Sequence, residues 1–204
     1  MKRLLILTAV FAAVLSACAS AKTFTGSQLN GIVLGQNDTP TGLTFISQGS
    51  GPQTIDQVAS DSTEQGQLQT YGFQSAYSSF YANTAALGVL SQQTQTASPS
   101  AKVVAAIAIV FKTADGAHKA ITLEHQNDVK NGTNVTTVSS DKVGEETIAE
   151  SGQQKDFPFP GFLLYFREGN AVFAVLVAGG PTAGASIVEA TNYAKTMDAR
   201  AKKA

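Results

Sequence analysis

The chain has almost no cysteine. Cys18 is the only one among 204 residues, so no disulfide can form within the chain and no second thiol is available for redox chemistry. Stability must therefore come from a hydrophobic core.

Strong charge of either sign is lacking too. The 14 Lys and Arg residues nearly balance the 15 Asp and Glu residues, and no block of basic residues occurs beyond the first few positions. Because nucleic-acid binding depends on clustered positive charge, this composition argues against DNA or RNA as a partner.

Signatures of common enzymes are missing as well. No Gly-x-Ser-x-Gly elbow occurs, and residues 179–186 match a phosphate-binding P-loop except that Ala185 stands where the lysine belongs. That lysine supplies the charge that holds the phosphates, so we expect no nucleotide and no other cofactor.

The amino terminus carries an export signal. Lys2 and Arg3 precede twelve uncharged, mostly apolar residues, Leu4 to Leu15. A membrane-spanning helix needs about 20 apolar residues, whereas the apolar part of a secretory signal has about 7 to 15. The segment is therefore predicted to be cleaved.

Leu15-Ser16-Ala17-Cys18 resembles the lipobox of bacterial lipoproteins. The resemblance implies cleavage after Ala17 and lipidation of Cys18, which would attach the protein to a membrane. Position 19 is Ala and not the Asp that retains such proteins at the inner membrane. This implies the outer membrane in a bacterium that has two membranes. The alternative is an ordinary cleavage site beside an incidental cysteine.

These features predict three parts of the chain: a signal peptide of residues 1–17, a lipidated Cys18 with a flexible tether to residue 27, and one domain of residues 28–204. Removing the signal takes the formal charge from −1 to −3 and leaves enough chain for a substantial core.

Hydrophobic patterns give the elements of the domain. The apolar run of residues 103–111 predicts a central strand buried on both faces. Thr113 is expected to cap a helix that ends near Lys130, before Asn131-Gly132. Further elements are predicted at residues 43–47 (strand), 53–61 (short helix), 135–139 and 145–149 (strands), 161–177 (a hairpin turning at Gly169-Asn170) and about 187–201 (helix).

This order predicts an α+β domain, a mostly antiparallel sheet with helices packed on it, including one at the carboxyl terminus. It also resembles small bacterial lipoprotein domains of PsbP-like type, through residues 111–117 (FKTADGA), 143–146 (VGEE) and 166–170 (FREGN). The resemblance implies a fold and assigns no active-site residues.

Aromatic residues suggest a ligand surface. Tyr71, Phe73, Tyr77 and Tyr81 all occupy odd positions, which favours one face of a strand, although their spacing also permits a helix. Tyr77, Tyr81 and Phe73 are the candidate contacts for a small ligand, because tyrosine joins an apolar ring to a polar tip. Packing against a helix is the alternative.

The two histidines do not predict a metal site. His118 and His125 are seven residues apart on one expected helix, so they are about 10 Å apart along its axis. One ion cannot bridge that distance, and a solvated polar face is expected. The adjacent Glu145 and Glu146 are expected to point to opposite faces of a strand.

The sequence thus favours a lipid-anchored, non-enzymatic module of the cell envelope that binds a partner or a small ligand or serves structurally. Possible partners are an envelope protein or glycan at Phe157-Pro158-Phe159-Pro160-Gly161-Phe162, or a small apolar molecule at the tyrosines. Burial of the phenylalanines is the alternative at the first site. A lipid-anchored enzyme of unknown reaction is the second hypothesis.

Overall fold

The computed structural model describes residues 22–92, 98–153 and 157–204. The predicted signal peptide, Cys18 and the first part of the tether lie outside these ranges. Within them no helix is long and apolar enough to cross a membrane.

One antiparallel sheet forms the centre of the domain. Its strands lie in the order β1-β3-β4-β8-β7-β6-β5, and β2 also pairs with β3. The strands are β1 (Thr44–Phe45), β2 (Gly51–Gln53), β3 (Phe73–Ala82), β4 (Lys102–Phe111), β5 (Thr133–Thr137), β6 (Glu146–Gln153), β7 (Pro160–Glu168) and β8 (Ala171–Gly179).

Helices cover both faces of this sheet, which confirms the predicted α+β class. They are α1 (Leu29–Ile32), α2 (Ile55–Val58), α3 (Ser62–Thr70), α4 (Thr84–Gln92), α5 (Ala114–Asn131) and α6 (Ile187–Ala201). α5 and α6 both pack on β7 and β8, on opposite faces. We call these the α5 face and the α6 face.

The central part of the sheet follows the prediction closely. β4 lies between β3 and β8, and its side chains enter the cores on both faces. α5 begins after Thr113, whose hydroxyl accepts from the Gly116 amide at 3.0 Å, and it ends before Gly132. β7 and β8 form the predicted hairpin, in which Gly169 takes a φ of +53°.

The α6 face is mainly apolar, although Thr191 and Asp198 of α6 are also buried. α6 buries Ala190, Ala194, Met197 and Ala201, which recur at spacings of three and four along the sequence and therefore share one face of the helix. Beneath it the rings of Phe166 and Phe173 stack at 4.8 Å between centroids.

The amino-terminal segment belongs to this core, so the predicted tether is too long. Phe24 is 1% exposed, and its ring meets Phe173 edge-on at 6.0 Å. Its amide donates to Asn170 Oδ1 at 2.6 Å, while Asn170 Nδ2 donates to the carbonyl oxygens of Phe24 and Phe111. The folded domain thus begins no later than Lys22 rather than at residue 28.

Other boundaries differ because local patterns are weak. The strand expected at residues 43–47 is only β1, and the helix expected at 53–61 is α2, followed by the unpredicted α3. α4 was also not predicted. α3 has almost no periodic apolar pattern, so its position depends on tertiary contacts and on the Asp61 cap.

Candidate functional site

The predicted aromatic face does not form as one surface. The pairing of β3 with β4 shifts between Phe73 and Ser75, which marks a bulge. Because one extra residue reverses the alternation, Phe73 packs on the α5 face against Phe111, whereas Tyr77 and Tyr81 pack on the α6 face. The expectation of one shared face is therefore wrong for Phe73.

Tyr81 is part of the core. Its side chain is fully buried, its ring contacts Phe45, and its hydroxyl donates to the Gly35 carbonyl at 2.7 Å. Burial raises the pKa of Tyr81 above its usual range. Tyr77 is half-buried beside the same cluster. Ligand contact by these two residues stays a prediction, and Tyr81 can make it only if the core opens.

Two other segments have structural roles. Phe159 is 1% exposed and packs edge-on against the half-buried Phe157 at 5.6 Å, so the Phe159 ring belongs to the core, and partner binding by the rest of this segment stays a prediction. The glycine-rich segment 179–186 connects β8 to α6, and the Ser186 hydroxyl caps α6 by accepting from the Glu189 amide.

A cleft of about 530 Å³ lies at the β5–β6 edge of the sheet. It opens where β5 ends, because Val138 makes the last backbone bond of this pairing, to the Ala149 carbonyl at 2.9 Å. The chain then leaves β6 as a loop, residues 139–145. We call this space the β6 cleft. Its lining is hydroxyl-rich and charged, with a few apolar groups: Thr137, Ser139, Ser140 and Thr147; His125, Asp141, Lys142, Glu145 and Glu146; Val138, Ile148 and Ala149.

The loop is fixed at both ends of the cleft. Val143 is 2% exposed, and its amide donates to the Thr147 hydroxyl at 2.8 Å. Asp141 forms an ion pair with Lys195 of α6 at 2.6 Å. The wall of the cleft is therefore held by the core as well as by surface contacts.

Glu145 and Glu146 converge instead of pointing apart. Gly144 has a φ of +65°, Glu145 precedes β6, and both carboxylates reach Arg167, at 2.6 Å and 3.1 Å. The expectation of opposite faces is therefore wrong here, since only Glu146 lies in the regular strand.

Each histidine of α5 pairs with a carboxylate of β6. His118 Nδ1 lies 2.9 Å from Glu146, and both side chains are partly open to solvent. His125 Nδ1 contacts Glu150 Oε1, and the Glu150 side chain is only 1% exposed. The histidines thus sit in two different environments on one helix, and His125 is the one that lines the β6 cleft.

Behind His125 lies a cluster of four carboxyl groups, which we call the carboxyl cluster: Glu64 of α3, Glu124 and Asp128 of α5, and Glu150 of β6. The carboxyl groups of Glu124 and Glu64 lie close together, and so do those of Asp128 and Glu150. Two ionised carboxyl groups at such a distance repel each other, and a proton held by one of them relieves the repulsion.

Burial and mutual repulsion explain this protonation. Burial, followed by the nearby charge of Glu64, raises the pKa of Glu124 well above its usual range. Burial, followed by the nearby charge of Glu150, raises the pKa of Asp128 to about 7, against the opposing effect of the Tyr165 hydroxyl, which donates to it at 2.6 Å. One carboxyl oxygen of Glu124 and one of Glu150 are inaccessible to solvent, and neither accepts a hydrogen bond from a donor among the described residues.

The carboxyl cluster is not arranged as a metal centre. Among residues 22–92, 98–153 and 157–204, no three His, Cys, Asp or Glu side chains are placed to hold one ion. The cluster is better described as a proton-holding site that supports His125 from behind.

Sequence reasoning placed both histidines on the right helix but missed their partners. Glu150 lies 25 residues after His125, and Glu64 lies 86 residues before Glu150. No local spacing connects them. The available signal was the regular placement of Glu146 and Glu150 on one face of a strand that packs near α5, with His118 and His125 on one face of the helix.

Comparison with known proteins supports the fold. No family model and no curated protein matches the sequence. Among solved structures, the extracellular domain of PknH from Mycobacterium tuberculosis is similar, with a TM-score of 0.54 and 12% identity over 90% of this chain and 100% of that one. At this identity the similarity concerns the fold alone.

Proposed function

We propose that this chain is an exported lipoprotein, attached to a bacterial membrane through Cys18, whose domain binds a small polar ligand in the β6 cleft. The β6 cleft carries the binding part of the proposal. It combines hydroxyl groups, charged groups and a histidine held by a buried carboxylate, which is the mixture that small-ligand sites use to orient a molecule.

The attachment part rests on the amino terminus. Lys2, Arg3 and the apolar run lead directly into the lipobox, and the folded domain begins no later than Lys22. The four residue-to-residue steps from Cys18 to Lys22 span at most about 14 Å, so lipidation would hold the domain close to the bilayer surface. Ala19 favours the outer membrane in a bacterium that has two. The similar PknH domain is named as extracellular, which is in keeping with export.

Replacing Cys18 tests the attachment. We expect Cys18→Ser to release the protein from membranes, since each buried methylene of an acyl chain contributes about 0.8 kcal/mol and no other anchor is proposed. Membrane fractions washed in high salt would be probed for both proteins, and thermal melting would check the fold. Retention of the variant on washed membranes would overturn lipid anchoring.

Native mass spectrometry tests the ligand. The mature protein, extracted from its own envelope, is expected to carry a small molecule that His125→Gln loses and His118→Gln keeps. These two variants change the same residue type on the same helix, and only His125 lines the β6 cleft. Equal retention by both variants would argue against this site.

A lipid-anchored enzyme is the second candidate. The contact between His125 and Glu150 favours it, because a histidine held by a buried carboxylate is a common acid–base arrangement.

A further inference from the structure

The two nitrogens of His125 have different surroundings. Nδ1 contacts Glu150 Oε1, so the ring is fixed and this nitrogen is occupied. Nε2 has no hydrogen-bond partner within the described residues, while the side chain is 28% exposed and lines the β6 cleft. When Nδ1 donates its proton to the carboxylate, Nε2 is left as a proton acceptor.

The partner of His125 is held in place. Glu150 is 1% exposed and lies on a strand that is paired on both sides. The orientation of the ring therefore depends on a buried carboxyl group fixed by the sheet rather than on a mobile surface contact.

His118 supplies the internal contrast. Its side chain is 58% exposed, and its partner Glu146 is shared with Arg167. An exposed ring whose partner is already neutralised gains little orientation. The same helix thus carries one oriented imidazole, that of His125, and one that is little oriented, that of His118.

We propose that the β6 cleft has hydrolytic activity toward small esters, with His125 as the general base and Glu150 as a positioning residue. This inference rests on the cleft of the proposed function and not on its lipid anchor.

The reaction needs only water as a co-reactant. His125 Nε2 accepts a proton from a water molecule as the water oxygen bonds to the acyl carbon. The ester bond then breaks, the alcohol oxygen leaves with the electron pair, and the imidazolium returns the proton to it. Ester and water thus give a carboxylic acid and an alcohol, and His125 is regenerated.

The probe is p-nitrophenyl acetate, hydrolysed by the mature lipidated protein in detergent. We expect His125→Gln to lower kcat/KM by about 10²-fold, the usual contribution of a general base, and His118→Gln to leave it unchanged. Thermal melting of both variants establishes that they are folded. Equal losses from the two variants, or no loss from His125→Gln, would overturn the proposal.

Chemical rescue separates positioning by Glu150 from support of the fold. Free imidazole should restore activity to His125→Ala, in excess of what the same imidazole adds to His118→Ala. The double variant His125→Ala and Glu150→Leu should not be rescued, because no acceptor then orients the added ring. Equal rescue with and without Glu150 would overturn its role.

Failure of the hydrolysis proposal can be distinguished from failure of the proposed function. Cys18→Ser should keep the full rate even when it leaves the membrane. Absence of hydrolysis from a protein that still co-purifies with a ligand would end this inference and leave the binding proposal in place.

Discussion

The two faces of the sheet are built from the same strands but filled in opposite ways. On the α6 face, Phe24, Phe166 and Phe173 pack against the small side chains of α6, and the interior is mainly apolar, with the carboxyl groups of Glu168 and Asp198 at its edge beside Lys202. On the α5 face, carboxyl groups of Glu124 and Asp128 are enclosed beside those of Glu64 and Glu150. Buried carboxyl groups destabilise a fold unless they are paired or protonated. The comparison indicates that the α5 face combines an apolar core of its own with a larger group of enclosed carboxyl groups, which cost stability.

The largest effect is expected from Phe24→Ala on the α6 face. It removes a fully buried ring and its contact with Phe173, which should lower the free energy of unfolding by about 3–5 kcal/mol. Urea denaturation at constant pH measures the change. The 65% exposed Val188 is the control, because Val188→Ala should change stability by less than about 0.5 kcal/mol. An effect of Phe24→Ala as small as the control would mean that residues 18–27 are a tether after all.

A pH titration of stability addresses the α5 face. The pKa of Asp128 is about 7 in the folded protein and near 3.8 ordinarily, so the folded state binds this proton more tightly. The free energy of unfolding should therefore fall as pH rises from about 4 to about 7, by an amount on the order of 3 kcal/mol, and level off above. Glu64, Glu124, Glu150 and Tyr165 are titratable groups that lie near this carboxyl.

Asp128→Asn should remove most of this slope and make the domain more stable than the parent at pH 8. The amide still accepts from Tyr165 and can donate to Glu150, but it carries no charge. Asp115→Asn is the matched control, since Asp115 lies on the same helix with 70% of its side chain exposed. An Asp128→Asn protein with the parent's slope would contradict the assignment of protons to the carboxyl cluster.

The smallest effect is expected within the predicted aromatic face. Tyr81→Phe loses the bond to the Gly35 carbonyl and should destabilise the domain by about 1 kcal/mol. Tyr77→Phe should have no effect, because the Tyr77 hydroxyl makes no bond within the described residues. Thermal melts compare the two. Should both variants melt like the parent yet lose a bound ligand, the tyrosines would be the ligand surface that their spacing predicts.

Sequence patterns predicted the parts of the domain where local and tertiary preferences agree. β4 is apolar from Val103 to Phe111, α5 has a capping threonine at its start and a glycine after its end, and Gly169 has the positive φ that its turn needs. The bulge after Phe73 was not predictable, since nothing in the local sequence marks the extra residue. That single irregularity changed which aromatic residues share a face.

The candidate site escaped prediction for a different reason. His125 and Glu150 come together only because α5 crosses the sheet near β6, and Glu64 arrives from α3, a helix with almost no apolar periodicity. Long-range pairing of polar groups leaves no trace in spacing along the chain. The cleft itself depends on the point where β5 ends, which the expected strand at 135–139 placed two residues too late.

The docking of the amino-terminal segment also determines how the domain would respond to mechanical load. With a lipid at Cys18, tension from the membrane enters at Lys22 and passes through Phe24 to the turn between β7 and β8. Asn170 carries that load through three side-chain hydrogen bonds and through its amide, which donates to the Lys22 carbonyl at 3.2 Å. Rupture would therefore begin at this asparagine, and peeling of residues 22–24 would lengthen the tether before any strand of the sheet separates.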